Sequence, residues 1–307
     1  MLEFMSGTQE RMFFIGVSTG GSSIMKLFPI WAEVLRLGAR IEGRDLPIGG
    51  EPALYRRAVA EIAANDDVRG ALVTTHKVDV FRHAGGLFAE LDDNAVLCRE
   101  VSSISKRGPR LVGRATDPIT AGKSMDRIFR DGPMPDEVVC LGAGGAGTAI
   151  SVNLLRRDPP PRRAMMVDSD AARIDDLRSI HSQIDSSTTV AYLISDDAIA
   201  NDAVLERASE GSLVINATGM GKDMPGSPLT RRATFPKRAV VWELNYRGEL
   251  EYLRQARAQA GERQLRVHDG WDYFLYGWSE VIAEVFGLDV DDACFEALKE
   301  AAAPLRP

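Results

Sequence analysis

The chain has 307 residues, 45% of them apolar and 26% charged, which reads as a soluble globular protein of two ordinary domains, each able to bury its own core. A net charge of −7 argues against nucleic acid or an anionic membrane as the main partner. Cys98, Cys140 and Cys294 form no C-x-x-C pair and four scattered histidines add no ligand spacing, so neither a disulfide framework nor a metal site is expected.

In chain order, residues 12–17 read as a strand, 22–37 as a helix and 40–47 as a strand. A helix over 52–64 opens on Pro52, whose missing N–H is harmless in a first turn, and a short buried strand follows at 70–73. This alternation predicts a mostly parallel sheet. Residues 99–117 read as two strands across the turn Lys106-Arg107-Gly108-Pro109, and 119–130 as a helix. Asp131-Gly132-Pro133-Met134-Pro135 is the best linker candidate. Glu3, Glu10 and Arg11 interrupt the first apolar stretch, unlike a signal peptide, and no run approaches a membrane span, so the expected setting is cytoplasmic.

After the linker the rhythm restarts. The apolar strand 138–141 feeds Gly142-Ala143-Gly144-Gly145-Ala146-Gly147, which opens a helix through residue 155. Glycines let such a turn tighten and let backbone amides approach a pyrophosphate, whose charge the helix N-terminus favours. The next strand, 164–167, ends in Asp168, 21 residues beyond Gly147, where a dinucleotide-binding fold carries the carboxylate that holds a ribose. A purely structural glycine turn and a methyltransferase-like fold are the competing readings. Further strands are expected at 189–194, 213–216, 240–244 and 265–268, then helices over 271–286 and 291–302. The fold class is therefore α/β with two domains: an open α/β substrate domain over 1–133, a Rossmann-type domain over 134–269, and C-terminal helices over 270–307 that return to the first domain.

Three polar clusters sit at or just after predicted strand ends, where open α/β sheets bind ligands. They are Gly20-Gly21-Ser22-Ser23, Thr74-Thr75-His76-Lys77 and Gly113-Arg114-Ala115-Thr116-Asp117-Pro118. Each alone has a plain reading, as a helix cap or a solvated helix start. In order and spacing they resemble the shikimate/quinate dehydrogenase family. Gly21-Ser22-Ser23 is similar to its Ser-x-Ser, and 72–77 to its Asn-Val-Thr-x-Pro-x-Lys, shortened by one residue. Residues 113–117 resemble its Gly-x-Asn-Thr-Asp, 215–221 its Ile-Asn-Ala-Thr-x-x-Gly-Met, and Glu243-Leu244-Asn245-Tyr246 its Asp-x-x-Tyr.

The resemblance implies an NAD(P)-linked oxidation of a secondary alcohol, with Lys77 as acid/base and Asp117 orienting its ammonium. It implies Ser23, Thr74, Ser102, Tyr246 and Gly277 on the substrate side. On the cofactor side it implies Gly142, Ala143, Gly144, Gly145, Ala146, Asp168, Ser169, Arg173, Ala217, Thr218 and Gly219. Departures from the family pattern fall among the substrate readers: Gly21 replaces a Ser, Ser102 an Asn and Gly277 a Gln. Losing such groups removes polar recognition and opens volume, which points to a hydroxy-carboxylate related to shikimate with fewer or differently placed hydroxyls. Tyr273, Tyr276 and Trp278 are either core or the lining of an enlarged pocket, and Arg114 either a surface residue or the reader of a second anion. Asp168 and Asp170 would repel a 2′-phosphate, so NAD is expected over NADP, although Arg173 leaves NADP open. Ordinary shikimate or quinate dehydrogenation, and a non-catalytic NAD-binding regulator on the same scaffold, are the alternatives. Methylene-tetrahydrofolate dehydrogenases share the plan but fit Ser23 and the Thr116-Asp117 pair poorly. The expected partner is a small molecule, with a homodimer as one option.

Overall fold

Met12, Phe13 and Ile15 are fully buried side by side, because the strand that carries them, β1 (Glu10–Gly16), lies inside a sheet covered on both faces. The structure, a computed structural model, describes residues 9–222 and 224–307; Glu3, part of the leader reading, lies outside them. Along the first stretch follow α1 (Ile24–Val34), β2 (Ala39–Asp45), α2 (Pro52–Ala64), β3 (Val68–Val73), α3 (Lys77–Ala84), β4 (Glu90–Leu91), α4 (Asp93–Cys98), β5 (Ser103–Arg107) and β6 (Arg110–Arg114). Their sheet has the order β2-β1-β3-β5-β6-β4. Its β1–β2 and β1–β3 pairs are parallel, and the β5–β6 hairpin joins β3 antiparallel.

The second stretch comprises α5 (Asp117–Ile128), β7 (Glu137–Leu141), α6 (Gly145–Leu155), β8 (Arg163–Asp168), α7 (Ala171–His181), β9 (Thr189–Ile194), α8 (Ala198–Arg207), β10 (Leu213–Asn216), β11 (Val240–Glu243), α9 (Glu251–Arg263) and β12 (Arg266–His268). Its six strands run parallel in the order β12-β11-β10-β7-β8-β9. That is the doubly wound dinucleotide-binding topology, whose order reverses between β7 and β10. The chain ends in α10 (Trp271–Phe286) and α11 (Asp292–Ala302).

Two units result: residues up to Thr116 together with Leu275–Arg306, and Asp117–Phe274. The sequence expectation divides the chain at 133/134 and 269/270, whereas α5 packs within the second unit. Ala121, Met125 and Phe129 share a core with Val138, Cys140 and Ile150. A Cβ on Gly122 would come within 2.5 Å of Asn153 Nδ2, so the glycine lets α5 lie close against α6. The Asp131–Pro135 stretch is thus a connection inside the second unit. In the first unit, α11 is held to α1 by Trp31, fully buried, whose Nε1–H donates to the Leu298 carbonyl at 2.8 Å. Among the described residues no helix is long and apolar enough to cross a membrane, and no group of three acidic, His or Cys side chains could hold a metal.

Candidate active site

The glycine turn is built by contacts that no side chain would survive. Gly142 has φ +107°, and a Cβ there would lie 2.7 Å from the Ala217 carbonyl carbon and oxygen. A Cβ on Gly147 would lie 2.0 Å from the Gly142 oxygen, so α6 begins directly over the turn. The turn is tied to its neighbours by Gly142 N–H donating to Val167 O, and Ala217 N–H to Leu141 O, each at 2.7 Å. Asp168, buried at the end of β8, accepts from Ala143 N–H at 2.6 Å and from Asp170 N–H at 2.9 Å.

Over the carboxyl ends of β7, β8 and β10 lies a cavity of about 550 Å³, within the usual range for ligand pockets. Its lining includes Gly142, Gly144, Asp168, Ser169, Arg173, Ala217, Thr218 and Gly219, so eight of the eleven expected cofactor residues border one space. The other three, Ala143, Gly145 and Ala146, form the turn behind it and the first turn of α6. The charged lining residues among those described are Asp168, Asp196 and Arg173. Arg173 Nη1 lies 3.8 Å from Asp168 Oδ2 and its Nε 3.7 Å from Asp170 Oδ2, so its charge is shared between two carboxylates. Asn201, also on the lining, donates Nδ2–H to Pro228 O at 2.9 Å and leaves its buried Oδ1 without a partner. A glycine cradle, a ribose-height carboxylate and an orphaned acceptor fit a nucleotide cofactor.

In the first unit, Thr74 directly follows β3 and donates Oγ1–H to Ile15 O at 3.3 Å. A Cβ on Gly16 would come within 2.9 Å of that Thr74 hydroxyl oxygen. Lys77 opens α3 half-buried, and its carbonyl accepts Val101 N–H at 3.0 Å. Ser102, next in chain, is buried and turned inward: its Oγ accepts Thr116 N–H at 2.8 Å and lies 3.0 Å from Thr116 Oγ1. Hydrogen bonds therefore bring Lys77, Val101, Ser102 and Thr116 to one end of the first sheet. Asp117 follows Thr116 directly and is the first residue of the second unit. Ser23 precedes α1, and the neighbouring Gly21 has nothing within 4 Å of where a Cβ would stand. Gly277 lies half-buried in α10. Tyr246, in the second unit, packs against Phe274 with ring centroids 4.3 Å apart.

Two curated proteins and one solved structure are similar to this chain. A Streptococcus gordonii shikimate dehydrogenase (NADP(+)) is 29% identical over 198 residues, 61% of this chain and 62% of that protein, so the chain spans less than two thirds of it. A Methylocella silvestris shikimate dehydrogenase (NADP(+)) is 28% identical over 286 residues, 92% of each. The solved quinate dehydrogenase of Corynebacterium glutamicum in complex with NAD superposes with a TM-score of 0.75 at 19% identity, covering 96% of this chain and 99% of that one. The chain is thus similar to shikimate dehydrogenases, distantly and over most of its length. No family model matches it.

For several side chains the structure selects between the alternatives that the sequence left open. Tyr276 stacks on Phe295 at 3.7 Å and Trp278 meets Phe14 edge-on at 5.0 Å, both buried in the first unit's core. Tyr273, half-buried, packs on Trp242. Arg114, its side chain 38% exposed, is a surface cation paired with Glu284: its Nε lies 3.2 Å from Glu284 Oε1, an oxygen that also accepts from Ser105 and Arg107 and so ties β5 and β6 to α10. Cys140 is no nucleophile, since complete burial pushes its thiol up to about 12.

Sequence reasoning also missed a buried polar knot. Asn216 ends β10 and donates Nδ2–H to Glu243 Oε2 at 2.7 Å, while Glu243 Oε1 accepts both N–H and Nδ2–H of Asn245 at 2.8 Å. Burial pushes Glu243 up to about 7 against the pull of these three donors. The available signal was a polar residue closing each of two otherwise apolar strands.

Proposed function

We propose that this chain is an NAD(P)-dependent oxidoreductase that interconverts a secondary alcohol and a ketone on a small hydroxy-carboxylate related to shikimate but distinct from it. The observation that carries the reading is the cavity over β7, β8 and β10, bordered by the glycine turn, Asp168, Arg173 and 217–219. Gly142, Gly144 and Ala217–Gly219 would hold the pyrophosphate and nicotinamide side of the cofactor, and Asp168 the adenosine ribose. A bound nicotinamide dinucleotide supplies hydride acceptance or donation.

The proton is the protein's task. Lys77 takes or gives the proton at the reacting oxygen, and Asp117 is the carboxylate that orients its ammonium. Thr74, Ser23 and Tyr246 bind the substrate through neutral donors and acceptors. Two observations favour an altered substrate. The space beside Gly21 lacks the hydroxyl that the family's Ser would supply, and the Ser102 hydroxyl is engaged with Thr116. NAD is the preferred cofactor, because the cavity already carries two carboxylates against one shared guanidinium, an environment that repels a 2′-phosphate.

A panel of cyclic polyols and hydroxy acids with NAD or NADP, followed by appearance of reduced cofactor, tests this. Turnover of shikimate at ordinary efficiency would return the chain to shikimate dehydrogenation. Comparable kcat/KM with NADP would remove the NAD preference. Lys77→Ala should lower kcat by about 10²-fold or more with NAD binding intact; an unchanged rate removes Lys77 from the proton transfer.

A further inference from the structure

The Glu243 carboxylate is fully buried, receives three N–H donors, and faces none of the cavity itself. What it orients does border the cavity. Asn216 Oδ1 accepts Thr218 N–H at 3.1 Å and Thr218 Oγ1–H at 2.6 Å, and Thr218 Oγ1 in turn accepts Met220 N–H at 3.2 Å. Asn245 Nδ2 donates to the carbonyls of Thr218 and Met220, each at 3.1 Å. Two side-chain amides therefore hold the 217–220 turn, one mainly through its oxygen and the other through its nitrogen. Their orientations are not interchangeable. The acceptor at Oε2 keeps Asn216 Nδ2 pointing inward and its oxygen toward Thr218, while Oε1 fixes the Asn245 backbone N–H and shares that residue's two amide hydrogens with the Thr218 and Met220 carbonyls.

We propose that Glu243 is the positioning residue of the 217–220 turn, and that its ionised form holds the turn in the shape that binds dinucleotide. The inference rests on the dinucleotide reading of the cavity. Protonating the carboxylate would aim a hydrogen at an amide that also donates, so one amide must rotate and release Thr218 or Met220. Desolvation works against ionisation, and so does Asp269 beyond β12, while the three donors favour it, leaving the group near 7. The other titratable neighbours are neutral there. Tyr252 of α9 and Cys140 of β7 are pushed upward by burial, and His268, opposite Trp242 on β12, is pushed downward by burial and then by Arg266.

The test uses the intact chain and two readouts from pH 6 to 8.5. The first is hydrogen exchange of the 217–220 amides without ligand, corrected for intrinsic rates; the second is NADH affinity by fluorescence. With Glu243 half-ionised near pH 7, about a tenth of the molecules are competent at pH 6, so NADH should bind about tenfold more weakly there than at pH 8. Protection of the turn should fall in parallel. Glu243→Gln should bind weakly at every pH with the dependence abolished, and Glu243→Asp should restore a pH-dependent turn. Equal protection and equal NADH affinity in Glu243→Gln, or a parent profile flat from pH 6 to 8, overturns the proposal. If protection follows Glu243 as expected but the parent binds neither NADH nor NADPH at any pH, it is the dinucleotide reading and the binding half of the proposal that fall.

Discussion

Asp168 combines two duties that usually fall to different groups. Its carboxylate braces the glycine turn through Ala143 and Asp170, and it contributes negative charge to the cavity wall. The two can be separated. Asp168→Asn keeps the shape and one acceptor while removing the charge, so the ratio of kcat/KM for NADP to that for NAD should rise about tenfold, equivalent to roughly 1.4 kcal/mol. An unchanged ratio in steady-state kinetics would mean that the carboxylate does not face the 2′-phosphate position. At this scale the glycine turn was readable in the sequence, because Gly142 and Gly147 sit at a spacing that a strand–turn–helix imposes and Asp168 closes the next strand. Ser102 and Arg114 were not, since their partners, Thr116 and Glu284, are chosen by strand pairing and helix docking that no local pattern records.

Among the elements, the strand–turn–helix at 137–155 is the least tolerant of change. Gly142→Ala would have to place a methyl group 2.7 Å from the Ala217 backbone at φ +107°. We expect a loss of more than about 2 kcal/mol in urea unfolding, together with loss of NADH binding, because the 217–219 segment must retreat. A variant as stable as the parent would show that the turn can relax by another route. Long elements were well marked by periodicity: the helices Pro52–Ala64 and Trp271–Phe286 fall where their patterns predict. The short α3, β4 and α4 were not, since pieces of eight, two and six residues are too brief to display a period. The allegiance of α5 was equally hidden, because it depends on Gly122 meeting Asn153, a packing decision rather than a composition signal.

For the molecule as a whole, two buried groups in the second unit pull stability in opposite directions with pH. His181 bridges Tyr192 and Ser151 at 2.8 Å each. Because Ser151 Oγ donates to Thr148 O, the imidazole proton belongs on Nε2. Burial lowers His181 to about 4 from 6.5, so the unfolded chain binds its proton more readily, and stability is lost as pH falls from about 6.5 toward 4. Glu243 is raised from 4.5 to about 7, so the folded chain binds that proton more readily, and stability is gained as pH falls from about 7 to 4.5. Each is worth about 3 kcal/mol over its window, so within it they largely offset. Further acidification removes the ion pairs that hold Glu42 and Asp67 below their ordinary values through Arg44 and Arg11. Urea midpoints from pH 4.5 to 8 should therefore fall with acid in Glu243→Gln and rise with acid in His181→Gln, whatever the absolute stability of each. Parallel curves for the two variants would show that neither group carries its assigned share.

The path of the backbone adds a constraint in time. The sheet of the first unit is finished by residue 114, yet the helix whose Leu298 carbonyl receives the Trp31 indole is synthesised only after all of 117–274. On the ribosome, the earliest-made half must wait with Trp31 uncovered while the later-made half, whose sheet lies within one continuous stretch, can already close. Maturation of this chain should thus run from its middle outward, and chaperones that shield an apolar helix face would meet it at α1.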